Sequence, residues 1–165
     1  MKKIFTVIII SAVIFVSACG GVSMKELLTV EEGSYTAELS TTLDDETLMI
    51  SVIKDGGTLS FVVDEKYTFV YNGGNWSVSY SGLTVPISAD SIKRSVPQKL
   101  CTALTATPDA GWKISEEVLD GVYYHKCECQ TLGVTLFIDA KTNLPLKIIS
   151  GGMEFSVLKF EPASA

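Results

Sequence analysis

The chain has little of what enzymes are commonly built from. It contains one histidine, His125, in 165 residues, and no G-x-S-x-G segment that would raise a nucleophilic serine on a sharp turn. A Ser-His-Asp hydrolase needs a base beside an exposed serine, and one histidine set among cysteines is poor material for it. Phosphate-loop, H-E-x-x-H and calcium-loop patterns are also absent from the sequence, and with them the cofactors and metals such motifs hold. No enzyme activity, catalytic residue or cofactor is therefore expected. Ser51-Val52-Ile53-Lys54 spells S-x-x-K, but in a strand-like stretch, whereas penicillin-recognising enzymes carry it on a helix. Asn75-Trp76-Ser77 is a formal glycosylation sequon that reads as coincidence. Positive charge is scarce as well: 13 Lys and Arg face 19 Asp and Glu, for a net charge of −6. That balance argues against nucleic acid, or an anionic bilayer, as the main partner.

A long membrane-spanning run is missing too. The apolar stretch Ile4–Val16 holds 13 residues, where a spanning helix needs roughly 20. Lys2 and Lys3 precede it and Val16-Ser17-Ala18-Cys19 ends it. A positive start, a short apolar run and small residues make a secretory signal. The cysteine that follows resembles the lipobox of bacterial lipoproteins, with Val16 where Leu is commonest. The resemblance implies that the Cys19 thiol receives a diacylglyceryl group and becomes the new N-terminus. An uncleaved anchor is the alternative, and it too leaves the rest of the chain outside the cytoplasm on a membrane. Acyl burial contributes about 0.8 kcal/mol per CH₂, so two chains hold a protein durably. The expected organisation is a signal at 1–18, a lipidated tether with a short helix at 19–32, one domain at 33–161 and a tail at 162–165. Without residues 1–18 the chain has 147 residues, enough for one domain with a real core. Lys plus Arg falls to 11 against 19 acids, a net charge of −8. The membrane contact expected from sequence is thus the lipid, not a basic patch.

What is abundant is alternation. Tyr35, Ala37 and Leu39 interleave with Thr36, Glu38 and Ser40, and the same two-residue repeat returns through Leu48–Val52, Leu59–Val63, Tyr67–Tyr71 and Trp76–Tyr80. That period marks half-buried strands. Asp44-Asp45, Asp55-Gly56-Gly57, Asp64-Glu65 and Asn72-Gly73-Gly74-Asn75 between them are hairpin turns, since parallel crossovers need a dozen or more residues. Gly82–Ser95 breaks the pattern, and Pro97 then opens a helical stretch with Leu100, Ala103 and Leu104 on one face. Strands resume at Trp112–Leu119, through Asp120-Gly121 to Val122–Thr131, and continue to Phe160, making ten in all.

Ten strands about 4.8 Å apart make a sheet roughly 48 Å wide, and two short helices about 10 Å across cover less than half of it. The expected fold is mostly β: a single, strongly curved antiparallel meander, a half-barrel with one or two helices on its concave face. The order of elements, together with Phe137-Ile138-Asp139-Ala140-Lys141-Thr142-Asn143-Leu144-Pro145-Leu146-Lys147, resembles the LolA/LolB-like superfamily of envelope carriers. The resemblance implies a concave face that holds acyl chains beneath a helical lid. Tyr35–Val63 contains only Lys54, so the cationic residue those carriers place on an early strand has no counterpart. Binding of a lipid or another hydrophobic molecule is then expected rather than lipoprotein transfer. Its expected lining is Leu48, Ile50, Phe61, Phe69, Trp76, Val78, Leu136 and Ile138, with Leu100 and Leu104 on the lid. The alternative is a tethered module with a filled core that presents its convex polar face to an envelope protein.

His125, Cys127 and Cys129 share one strand face, and Cys101 lies on the helix expected opposite. These are zinc-ligand types, but positions about 6.7 Å apart on a straight strand gather poorly around one ion, so no metal site is assigned. A disulfide from Cys101 to Cys127 or Cys129, or three reduced thiols acting as small hydrophobes, are the remaining readings.

Overall fold

The structure, a computed structural model, describes residues 22–27, 33–119 and 121–162. The signal segment, Cys19, residues 28–32 and the end of the tail lie outside the described residues. The elements are α1 (Met24–Leu27), β1 (Tyr35–Leu43), β2 (Glu46–Asp55), β3 (Thr58–Val63), β4 (Tyr67–Asn72), β5 (Asn75–Tyr80), β6 (Leu83–Ile87), α2 (Ala89–Ile92), α3 (Val96–Leu104), β7 (Lys113–Leu119), β8 (Val122–Cys129), β9 (Val134–Asp139), β10 (Pro145–Ser150) and β11 (Met153–Pro162).

The strands form because their side chains alternate, and the turns because particular residues accept positive φ. Asp44-Asp45, Asp64-Glu65 and Ser81-Gly82 each place two consecutive residues there. This backbone matches the twist of the flanking strands: it closes two-residue hairpins at Asp44-Asp45 and Ser81-Gly82 and a three-residue loop at Asp64–Lys66. All eleven strands join one antiparallel sheet in the order β6-β5-β4-β3-β2-β1-β11-β10-β9-β8-β7, and it does not close into a barrel.

Two departures from the sequence expectation follow. The sheet has eleven strands rather than ten, because Leu83–Ile87, read as a break, pairs with β5. And the meander is not continuous in space: β1 pairs with β11, so the ends of the domain meet in the middle of the sheet. The free edges are β6 and β7, the two strands that flank the helical insertion.

Ser95 caps α3 by accepting from the Gln98 backbone N–H, and Pro97 sits in the first turn, where its missing N–H costs nothing. Leu100, Cys101 and Ala103 face inward and are buried. The helix packs on β9 and β10, and Ser150 Oγ donates to the Lys99 carbonyl at 2.7 Å. The core lies between α3 and the sheet, with Phe61, Phe155, Leu39, Ile50, Ile148 and Leu100 almost fully buried. The outer face is mixed, with exposed Met49 and Ile53 beside ion pairs such as Lys147–Glu154 at 2.9 Å and Lys126–Glu128 at 3.0 Å.

Candidate functional site

Registers align the inner-face residues of β2–β6 into three rows that cross the strands. The first runs Leu59, Tyr71, Trp76, Ile87; the second Val52, Phe61, Phe69, Val78, Val85; the third Ile50, Val63, Tyr67, Tyr80, Leu83. Burial falls along them in different ways. In the first row Leu59 and Trp76 are buried, and Tyr71 and Ile87 pack on the core. The third starts at buried Ile50 and runs out to Tyr67, Tyr80 and Leu83, which are 43 %, 53 % and 72 % exposed. Tyr67 and Tyr80 stack with centroids 4.9 Å apart and 21° between planes. Phe69 and Val78 in the second row are half-buried and Val85 is exposed. Aromatic and aliphatic side chains thus form a continuous apolar surface that leaves the core for solvent. Such contiguous patches mark interaction sites, whereas single exposed apolar residues are ordinary.

A second feature lies under the C-terminal end of α3. Leu27, Tyr35, Ala103, Leu104, Ala106, Leu136, Ile138, Pro145, Ile148 and Phe160 surround a hollow of about 50 Å³. Ligand pockets run to roughly 300–1,000 Å³, so this one holds no acyl chain as it stands. The larger depressions, about 720 Å³ beside Thr36 and Lys54 and 410 Å³ beside Thr42 and Glu154, are open surface clefts. Tyr35 stands at the wall of the hollow with its hydroxyl buried and no hydrogen-bond partner among the described residues. Desolvation, reinforced by the nearby Cys101, raises its phenol well above the ordinary range.

The ten residues expected to line a ligand site are divided by the structure. The eight on strands share the inner face. Ile50, Phe61, Trp76, Leu136 and Ile138 are buried there, as Leu100 is on α3, while Leu48, Phe69, Val78 and Leu104 are half-buried. Leu104, Leu136 and Ile138 border the small hollow. Sequence reading missed Tyr67, Tyr80, Leu83 and Val85. The first two continue alternations already recognised, whereas the last two lie in the stretch that Pro86 disguised.

Among the described residues Cys101, Cys127 and Cys129 are free and buried. Each is engaged separately. Cys129 Sγ donates to the Ala110 carbonyl at 3.2 Å, and Thr105 Oγ1 donates to the Cys101 carbonyl at 2.8 Å. Burial pushes the Cys101 thiol up to about 12 and Cys127 to about 11, so both stay protonated at neutral pH. His125 is buried opposite Glu116 and Ile138, its Nδ1 without a partner among the described residues. No group of three or more potential metal ligands occurs among the described residues.

The eleven-residue segment noted in the sequence is a turn with an internal brace. Asp139 Oδ1 accepts from the backbone N–H groups of Lys141 and Thr142, both at 2.8 Å, and Asn143 takes φ +55°. These N–H groups hold the Asp139 carboxyl below its usual range.

No protein-family model matches the chain, and no curated protein is similar to it in sequence. Among solved structures, an uncharacterized conserved protein from Thermus thermophilus is similar over 86 % of this chain and 83 % of its own, at 12 % identity and a TM-score of 0.52. That likeness shows the fold alone. A DUF1329 family protein from Desulfovibrio piger (14 % identity, 86 % and 90 % covered, TM-score 0.47) and MucB (13 %, 86 % and 58 %, 0.45) superpose less well, and the chain spans little more than half of MucB. No helix among the described residues is long and apolar enough to cross a membrane.

Proposed function

We propose that this chain is a membrane-tethered, extracytoplasmic binding protein of LolA-like architecture. It is held by lipid on Cys19 and docks an apolar element of an envelope protein on the uncovered inner face of β4–β6. The observation that carries the reading is the exposed third row, Tyr67, Tyr80 and Leu83, continued by Val85. An acyl chain laid on an open face would keep one side wet. A protein segment with its own polar back shields both surfaces, and tyrosines are enriched in such contacts. The docking surface differs from the convex polar face considered from sequence.

A second reading, a hydrophobic ligand in the hollow beneath α3, is favoured by the unpartnered Tyr35 hydroxyl at its wall. It requires the helix to lift and the hollow to grow several-fold.

A photo-crosslinking residue at Tyr80, compared with one at Ser51 on the outer face, tests the reading in intact cells. An adduct from position 80 that is lost on Leu83→Asp supports it. Equal labelling from both positions, or none from 80, overturns it. Lipid that co-purifies with the domain and disappears on Leu136→Asp would move the choice to the second reading.

A further inference from the structure

The hairpin β7–β8 ends in a different kind of apolar surface. Val118 and Tyr123 are a cross-strand pair on the inner face, Val122 lies on the outer face, and all three are exposed. A docking patch for a protein is apolar on one face. A tip that is apolar on both suits surroundings apolar on all sides.

The position of the tip says what those surroundings are. Tyr35 pairs with Pro162, Pro145 with Ile138 and Ile138 with His125, so the start of β1, the end of β11, the β9–β10 turn and the β7–β8 tip lie at one end of the sheet. Leu27 of α1 joins the hollow at that end, beside Tyr35, Ile138, Pro145 and Phe160. Val22, five residues earlier, packs on the core. Cys19 is three residues before Val22, a reach of at most about 11 Å when fully extended. The headgroup layer of a bilayer is roughly 5–8 Å deep on each side. A lipid on Cys19 therefore cannot leave the domain on a long leash.

Charge follows the same axis. The opposite end carries Asp44, Asp45, Glu46, Asp64, Glu65 and Asp109 against Lys66, Lys99 and Lys113. At the end bearing the tip, the β2–β3 and β9–β10 turns carry Asp55 and Asp139 beside Lys54 and Lys141. The acidic β1–β2 and β3–β4 turns thus sit where they least repel an anionic surface.

From this we infer that the β7–β8 tip inserts Val118, Val122 and Tyr123 into the headgroup region of the bilayer and fixes the domain upright on the membrane, with its acidic turns pointing away. Tyrosine belongs at such an interface, its ring in the apolar layer and its hydroxyl in water. The inference rests on the proposed lipid anchor.

The test uses the full chain, lipidated in its host, carrying Tyr123→Cys or Gln130→Cys, one at each end of β8, labelled with an environment-sensitive fluorophore. The native thiols are buried and spared. In vesicles of phosphatidylethanolamine and phosphatidylglycerol, the label at 123 is expected to shift to the blue and to be quenched by spin-labelled headgroups, with the label at 130 unaffected. Val118→Cys should behave as Tyr123→Cys does. If the protein floats with the vesicles and neither end is quenched, or both are quenched equally, the upright insertion is wrong while the anchor stands. Failure to float at all removes the anchor and the inference together.

Discussion

Strands β8–β11 and strands β3–β6 are written in the same alternation of apolar and polar residues, yet their inner faces end in opposite states. On the first, Cys127, Val134, Leu136, Ile148 and Phe155 are all buried, and α3 lies across β9 and β10. On the second, the row nearest the Ser81-Gly82 turn opens to water at Tyr67 and Leu83. The difference lies in the reach of the helix, not in the strands. At 1.5 Å per residue, a nine-residue helix is about 13 Å long, against a sheet of eleven strands roughly 53 Å wide. Stability is concentrated where the helix lies, and recognition is available where it does not.

Mutations should separate the two regions. Phe155→Ala, in the covered region, removes a fully buried ring and should cost about 3–5 kcal/mol in urea unfolding. Tyr80→Ala, on the open rows, loses only an exposed stack on Tyr67 and should cost no more than about 1 kcal/mol. A large loss from Tyr80→Ala would mean that the open face is packed after all.

The thiols under the helix give the next largest effect. Cys101 and Cys127 have raised values in the fold, so the stability they contribute is complete below the ordinary thiol range. It is lost as pH rises from about 9 toward about 11–12. Alkaline unfolding should begin above pH 9, and Cys127→Ala should shift its onset upward. Thiol reagents should find none of the three cysteines in the native domain and all of them in denaturant without reductant. A native disulfide would show as missing thiols.

Leu83→Asp should leave the unfolding curve within about 0.5 kcal/mol of wild type while abolishing the crosslink from position 80. It thereby divides binding from folding on the open side. The smallest effect belongs to the β9–β10 turn. The Asp139 carboxyl is lowered in the fold, so its contribution is present above the ordinary carboxylate range and lost as pH falls through its folded value. Asp139→Asn should lower stability slightly at neutral pH, where the carboxylate contributes, and leave the acid end of the profile almost unchanged.

The strands and hairpins were legible because period-two patterns and Asp- or Gly-containing turns are local signals. Pro86 hid β6, since a proline inside a run argues against a strand. In the structure it is tolerated because β6 is an edge. Counting outward from the two-residue turn at Ser81-Gly82, Leu83, Val85 and Ile87 exchange hydrogen bonds with β5, and the missing N–H of Pro86 faces the free side. The same proline blunts that edge against strand addition, so whatever docks there must lie on the face. The β1–β11 pairing left no trace in the sequence, because nothing local records which distant strand will lie alongside. The candidate site was half legible. Its side chains could be assigned to one face, but which of them the helix would cover depended on where α3 came to rest.

The meeting of β1 and β11 also sets an order of events. A chain delivered N-terminus first can zip β1 to β6 early and β7 to β10 later, but the two hairpin arrays stay separate until the ten residues of β11 arrive. A premature stop within Met153–Pro162 would therefore yield two unjoined half-sheets rather than a slightly shorter domain. Each would show a raw strand to its neighbours, and the product would be a substrate for proteases or a seed for aggregation.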